Sequence, residues 1–153
     1  MSMIEKITQG TTYLFSRNHT KFEGIRPVNI YLMRLMYVLM FFVLGKSVWS
    51  YIFSHEGGWE AMDAVAWSVW AAFSSLAFIG IFRTIKMIPI LILEIFYKLT
   101  WLVIVALPLW QESKLWGSEM EDMTLAFTWV LLPIVAVPWG YVFNSYILNQ
   151  KNS

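Results

Sequence analysis

Four apolar stretches, each longer than about 18 residues, limit what this chain can fold into. They run from Asn29 to Phe53, Ala61 to Phe82, Met87 to Trp110 and Met123 to Leu148. At about 1.5 Å per residue, a helix of that length crosses a hydrocarbon core of about 30 Å. Strand-length alternation punctuated by turns is absent, so a β-barrel does not fit. A helix satisfies its own backbone groups, as lipid requires. The expected fold is therefore all-α, a four-helix transmembrane bundle. Composition agrees: 58% of the 153 residues are hydrophobic and 14% charged, against about half and about a quarter in a soluble domain.

The links are short: "SHEGGWE", "RTIK" and "QESKLWGSEMED". Short links make neighbouring spans antiparallel, which gives up-down-up-down order. Residues 1–28 form a polar arm, 29–148 the membrane domain and 149–153 a tail. Ile4, Ile7, Leu14 and Phe15 would give the arm a weak apolar face at the membrane surface; a loosely ordered terminus fits equally. No apolar run precedes Asn29, so the first span is expected to direct insertion.

Orientation follows from the basic residues. Lys6, Arg17, Lys21 and Arg26 precede the first span, Arg83 and Lys86 fill the second link, and Lys151 follows the last span. The other two links hold Lys114 alone among lysines and arginines. The positive-inside rule then predicts both termini and the second link in the cytoplasm. The outward links are acidic, with Glu56, Glu60, Glu112, Glu119, Glu121 and Asp122. Trp49, Tyr51, Trp59, Trp110 and Trp116 fall at the outer boundary, where amphipathic rings sit well. Trp67, Trp70, Trp101 and Trp129 lie deeper and read as packing.

Ionisable residues inside the spans are the candidates for function. Lys98 lies about 18 Å into the third span, near the midplane, where a lysine costs about 2.5–3.5 kcal/mol. Glu94, four residues earlier, stands in the favourable helical orientation for an ion pair. Trp101 is spaced to lie over the ammonium, and Tyr97 to offer Glu94 a hydroxyl. Arg34 enters the first span at a depth similar to Glu94, so an interhelical Arg34–Glu94 bridge is a second arrangement. Lys46 and Asp63 form an expected outer pair. One positive charge is left over in this set. Such residues mark polar ligand pockets or ion paths; the plainer reading is a polar clamp that sets helix register. In the fourth span, Pro133 and Pro138 each free a carbonyl one turn earlier, near Trp129 and Ile134. The result is either a hinge beside a cavity or a static kink. Ala71, Ala72, Ser74, Ser75 and Gly80 in the second span permit close helix approach.

Other chemistries lack their residues. There is no cysteine, which removes thiolate metal sites and cysteine nucleophiles. His19 and His55 are predicted on opposite sides of the membrane, so no metal or haem site is expected. There is no phosphate loop and no nucleophile–base set; no cofactor or nucleic-acid binding is expected, and the residues lean against an enzyme while leaving open one whose polar pocket borrows a bound cofactor.

The segment "MIPILILEIFYKLTWLVIVALPLW", an acidic link, and then "LLPIVAVPWGYVFNSYI" resemble a family of small bacterial four-span integral membrane proteins of uncharacterised function. The resemblance runs from Lys86 onward. It rests on a proline-led helix carrying Glu94, Tyr97, Lys98 and Trp101, and on a Pro-Trp-x-Tyr stretch at Pro138, Trp139 and Tyr141. It implies a multi-pass protein of a bacterial inner membrane and carries no activity with it. The expected role is a non-enzymatic membrane component whose Glu94/Lys98 cluster orders the bundle or contacts a membrane-protein partner or a second copy. The alternative is a small transporter or polar-ligand-binding protein using the same two residues.

Overall fold

In the computed structural model, which describes residues 3–148, the chain is helical throughout, with no β-strand among the described residues. The tail 149–153 lies outside them. Helix α1 (Met3–Phe15) leaves Ile4, Ile7 and Phe15 exposed. Of the two readings of the arm, it is a helix that forms. Helix α2 (His19–Phe22) is one turn, capped by Asn18, whose side chain accepts the Lys21 N–H at 2.9 Å. Glu23 and Gly24 then take left-handed φ of 54° and 80° and reverse the chain. Ile25 returns to pair with Asn18, and both Phe22 and Ile25 are buried. The end of the arm, read as polar, is therefore folded into the core.

Helix α3 (Pro27–Ser54) starts at a proline, which needs no N–H partner in the first turn. Helices α4 (Ala61–Phe82) and α5 (Ile88–Gln111) come next, and all three are long and apolar enough to cross a membrane. The fourth apolar stretch does so only if two helices are counted together: α6 (Glu121–Ala136) and α7 (Trp139–Ile147) meet at 70°. The expected single span over 123–148 is thus broken, not merely kinked. Two prolines act differently here. Pro133 sits within α6; the carbonyl of Trp129 that it leaves free is taken by the Leu132 N–H at 3.0 Å, a local tightening. Pro138 causes the break, because the residue before a proline is pushed out of the helical region, and Val137 has ψ of 127°. The freed carbonyls find partners. Trp139 Nε1 donates to Ile134 O at 2.8 Å, and Asn29 Nδ2 donates to Ala136 O at 3.0 Å. Lipid tolerates a backbone break only where its polar groups are met in this way.

The helices pack tightly at the end that carries Arg83 and Lys86, here the basic end. Met33 and Tyr37 of α3, Ala77 of α4 and Leu91 of α5 have no exposed surface, and Val130 and Ala136 of α6 are almost as buried. Small residues of α4 make this possible: Ala71, Ser74, Ala77 and Gly80 are buried, whereas Ala72 and Ser75 are exposed. At Gly80 a Cβ would stand 2.6 Å from the Tyr37 ring. The Tyr37 hydroxyl donates to Thr84 O at 3.2 Å. Toward the acidic end the main contacts change: α3 packs on α4, and α6 packs on α5. The two pairs part, and a cavity opens between them.

Two turns, one in α3 that lines that cavity and one in α5, are π-helical, with i→i+5 hydrogen bonds. Over Met40–Leu44 the Gly45 N–H reaches Met40 O; over Leu102–Ala106 the Leu107 N–H reaches Leu102 O. Each inserts a residue into a helix and rotates the turns beyond it, and such insertions are frequent at functional sites.

Candidate functional site

The cavity has a volume of about 660 Å³ and draws lining residues from all four apolar stretches. Its wall is almost wholly apolar, with Met36, Met40 and Leu44 from α3 and Met123 and Phe127 from α6. Trp67 and Trp70 of α4 close another side. Its mouth lies between α3 and α6, bordered by Leu39, Val43, Trp129 and Leu132, all exposed. Among its lining residues only Glu94 and Lys98 are charged.

These two are on one face of α5 and form an ion pair, Lys98 Nζ to Glu94 Oε1 at 2.6 Å. Their side chains are 15% and 9% exposed, Lys98 first. The favourable i,i+4 order makes the pair, and α5 alone supplies both halves. Glu94 Oε2 is buried and has no hydrogen-bond partner. An ammonium has three donors and a carboxylate about four acceptor positions, so the pair keeps capacity on both sides.

Its surroundings differ from expectation in four respects. Lys98 reaches back one turn toward the helix N-terminus, as helical side chains do, and its ammonium lies 5.8 Å from the Phe127 ring rather than over Trp101. Trp101 instead packs on Phe127 at 5.0 Å, edge-on. Arg34 does not meet Glu94. It stands on the exposed face of α3, and its Nε donates to Thr84 Oγ1 at 3.1 Å, while Met33 and Tyr37 fill the inner face. Lys46 and Asp63 do not pair; both are exposed, Lys46 beside Phe42 and Trp49. Tyr97 lines the cavity, but its hydroxyl does not reach Glu94 as expected: Oε1 takes Lys98 and Oε2 has no partner, while the Tyr97 ring packs between Phe73 at 5.5 Å and Phe127 at 5.6 Å.

Sequence reasoning missed Phe127 and Thr84 as partners. Nothing in "TLAFTW" or "FRTIK" marks either, because the contacts join distant segments. It read Trp67, Trp70 and Trp129 as packing, whereas all three line the cavity. Between α3 and α4 an aromatic group covers the acidic end: Tyr51 stacks on Trp67 at 3.9 Å and His55 on Trp59 at 3.8 Å. Among the described residues no three His, Asp or Glu side chains gather where a metal ion would sit.

The arrangement can hold a mostly apolar molecule by its polar end. The methionines adapt to irregular shapes, the rings offer faces, and one acid–base pair fixes orientation, as in small-molecule sites generally. Comparison of the chain with protein-family models, curated proteins and solved structures finds no match.

Proposed function

We propose that this is a multi-pass protein of a bacterial inner membrane, with four spans in up-down-up-down order and both termini cytoplasmic, that binds a ligand taken from the bilayer in the Glu94–Lys98 cleft. One observation carries the reading: the sole charges on the cavity belong to a pair made within one helix. An ionic clamp that orders a bundle bridges two helices, whereas both charges here belong to α5 and only the Phe127 ring of α6 meets the ammonium. The cavity mouth supports a lateral route: its exposed lining is apolar apart from Ser47, whose hydroxyl donates to Val43 O, and would face lipid rather than water. The basic end suits the cytoplasmic side, and α7, turned away from α6, suits a position along that surface.

The test is native mass spectrometry of the full chain extracted from its own membrane with mild detergent. The expected result is a bound amphiphile on the native protein that is missing from Glu94→Leu/Lys98→Met. If both carry the same adducts, the cleft is not a ligand site, and the reading that the pair serves architecture or a protein partner takes its place.

A further inference from the structure

Building on the cleft as a ligand site, we propose that its occupant is a neutral lipid alcohol, an uncharged amphiphile whose head presents a hydroxyl to Glu94 and Lys98. The charge of the site argues first. Glu94 and Lys98 are the charged lining residues, and at 2.6 Å they neutralise each other. An anionic headgroup would draw Lys98 away and strand a carboxylate that is 7% exposed; a buried charge without its partner is strongly unfavourable. A cationic head would leave the cavity with a net positive charge in the middle of an apolar wall. A neutral head leaves the pair intact.

Hydrogen-bond capacity argues second. Glu94 Oε2 is a buried acceptor with no donor, and such groups are rarely left unmet. Lys98 has spent one N–H on Glu94 and keeps others. A hydroxyl is a small uncharged group that answers both, accepting from Nζ and donating to the carboxylate after a small turn of the Glu94 side chain, since Oε2 is closed off as it stands. A ketone or ester would accept only, and would leave Oε2 unmet.

The walls argue third. Beyond the pair, Met36, Met40, Leu44 and Met123 present hydrocarbon and thioether surface, suited to an acyl or prenyl chain of no fixed shape. The exposed apolar mouth at Val43 and Trp129 gives that chain a way out to the bilayer. Diacylglycerol and a long-chain prenol share this chemistry.

The experiment uses the full chain in phosphatidylcholine nanodiscs. Each receives dioleoylglycerol, geranylgeraniol, methyl oleate, oleate or oleylamine at equal mole fraction, and retention is read by native mass spectrometry. Dioleoylglycerol or geranylgeraniol is expected to be retained at least tenfold more than the other three, and the preferred one identifies the source. Two variants should lose that preference: Glu94→Leu/Lys98→Met, and Leu44→Trp, which fills the cleft without touching either charge. The second variant carries the test if the first does not melt cooperatively. Preference for oleate or oleylamine, lost in the same variants, overturns the lipid-alcohol assignment and leaves the ligand site standing. Equal retention of methyl oleate shows that the hydroxyl is not read and overturns it too. If no probe is held better by the native chain than by the variants, both this inference and the ligand-site reading fail.

Discussion

Lys98 and Glu94 depend on each other because neither has another ionic partner within reach among the described residues. Removing one strands the other in an apolar wall, which costs about 3–5 kcal/mol. Removing both and substituting apolar side chains of similar size is close to neutral. Lys98→Met is therefore expected to lower unfolding stability by about that amount, and Glu94→Leu/Lys98→Met to recover most of it. Thermal or denaturant unfolding in detergent reads the cycle; a Lys98→Met protein as stable as the native one would contradict it. Gly80 is a second residue with a sharp expectation. Any Cβ there meets the fully buried Tyr37 ring at 2.6 Å, and that ring has no room to retreat. Gly80→Ala should destabilise by about 1–3 kcal/mol through overpacking, whereas Gly58→Ala, where a Cβ meets nothing within 4 Å, should not.

At the scale of elements, the break between α6 and α7 depends on donors supplied from elsewhere. Asn29 belongs to the first turn of α3 and caps Ala136 O, which is itself deeply buried. Asn29→Ala removes that donor and should cost about 1–3 kcal/mol, the penalty of a buried unmet carbonyl, measured in the same unfolding assay. The proline pair "LLPIVAVPWG" signalled irregular backbone and the release of the Ile134 carbonyl. Its partner, the Trp139 indole, lies five residues on and was not foreseen. The bend angle was not legible either, since Pro138 marks a break without fixing its angle, and the Tyr141–Glu23 bond that holds α7 joins distant segments. The π-turns had no sequence signature: "MFFVL" and "LVIVA" read as ordinary apolar helix, and the inserted residue is visible only in the hydrogen bonds.

For the whole molecule, the long apolar stretches announced three helices of spanning length almost to the residue, because burial in lipid acts on every residue of a run. The charged cluster was legible only in part. Glu94–Lys98 is local and follows from helical spacing. Arg34, Lys46 and Asp63 needed the rotation of each helix about its own axis, which hydropathy does not encode. The proposed topology has a direct test, since the chain has no cysteine of its own. Gly10→Cys in α1 and Gly58→Cys in the α3–α4 link each add a side chain into open space. On intact cells a membrane-impermeant maleimide should label the second and not the first; labelling of Gly10→Cys alone would invert the orientation.

One contact ties the start of the chain to its end: the Tyr141 hydroxyl donates to Glu23 Oε2 at 2.7 Å, beside the Asn29–Ala136 bond. The molecule is thus built like a clothes-peg, sprung shut at the basic end and parted at the other. Widening the jaws between the last turns of α3 and the first turns of α6 breaks few packed contacts, whereas separating the sprung end, where the start of α3 packs on the end of α6, disrupts the core. A flexible bis-maleimide linker across the jaws, joining Val43→Cys to Trp129→Cys, would trap the proposed ligand, and one across the spring would leave its exchange untouched.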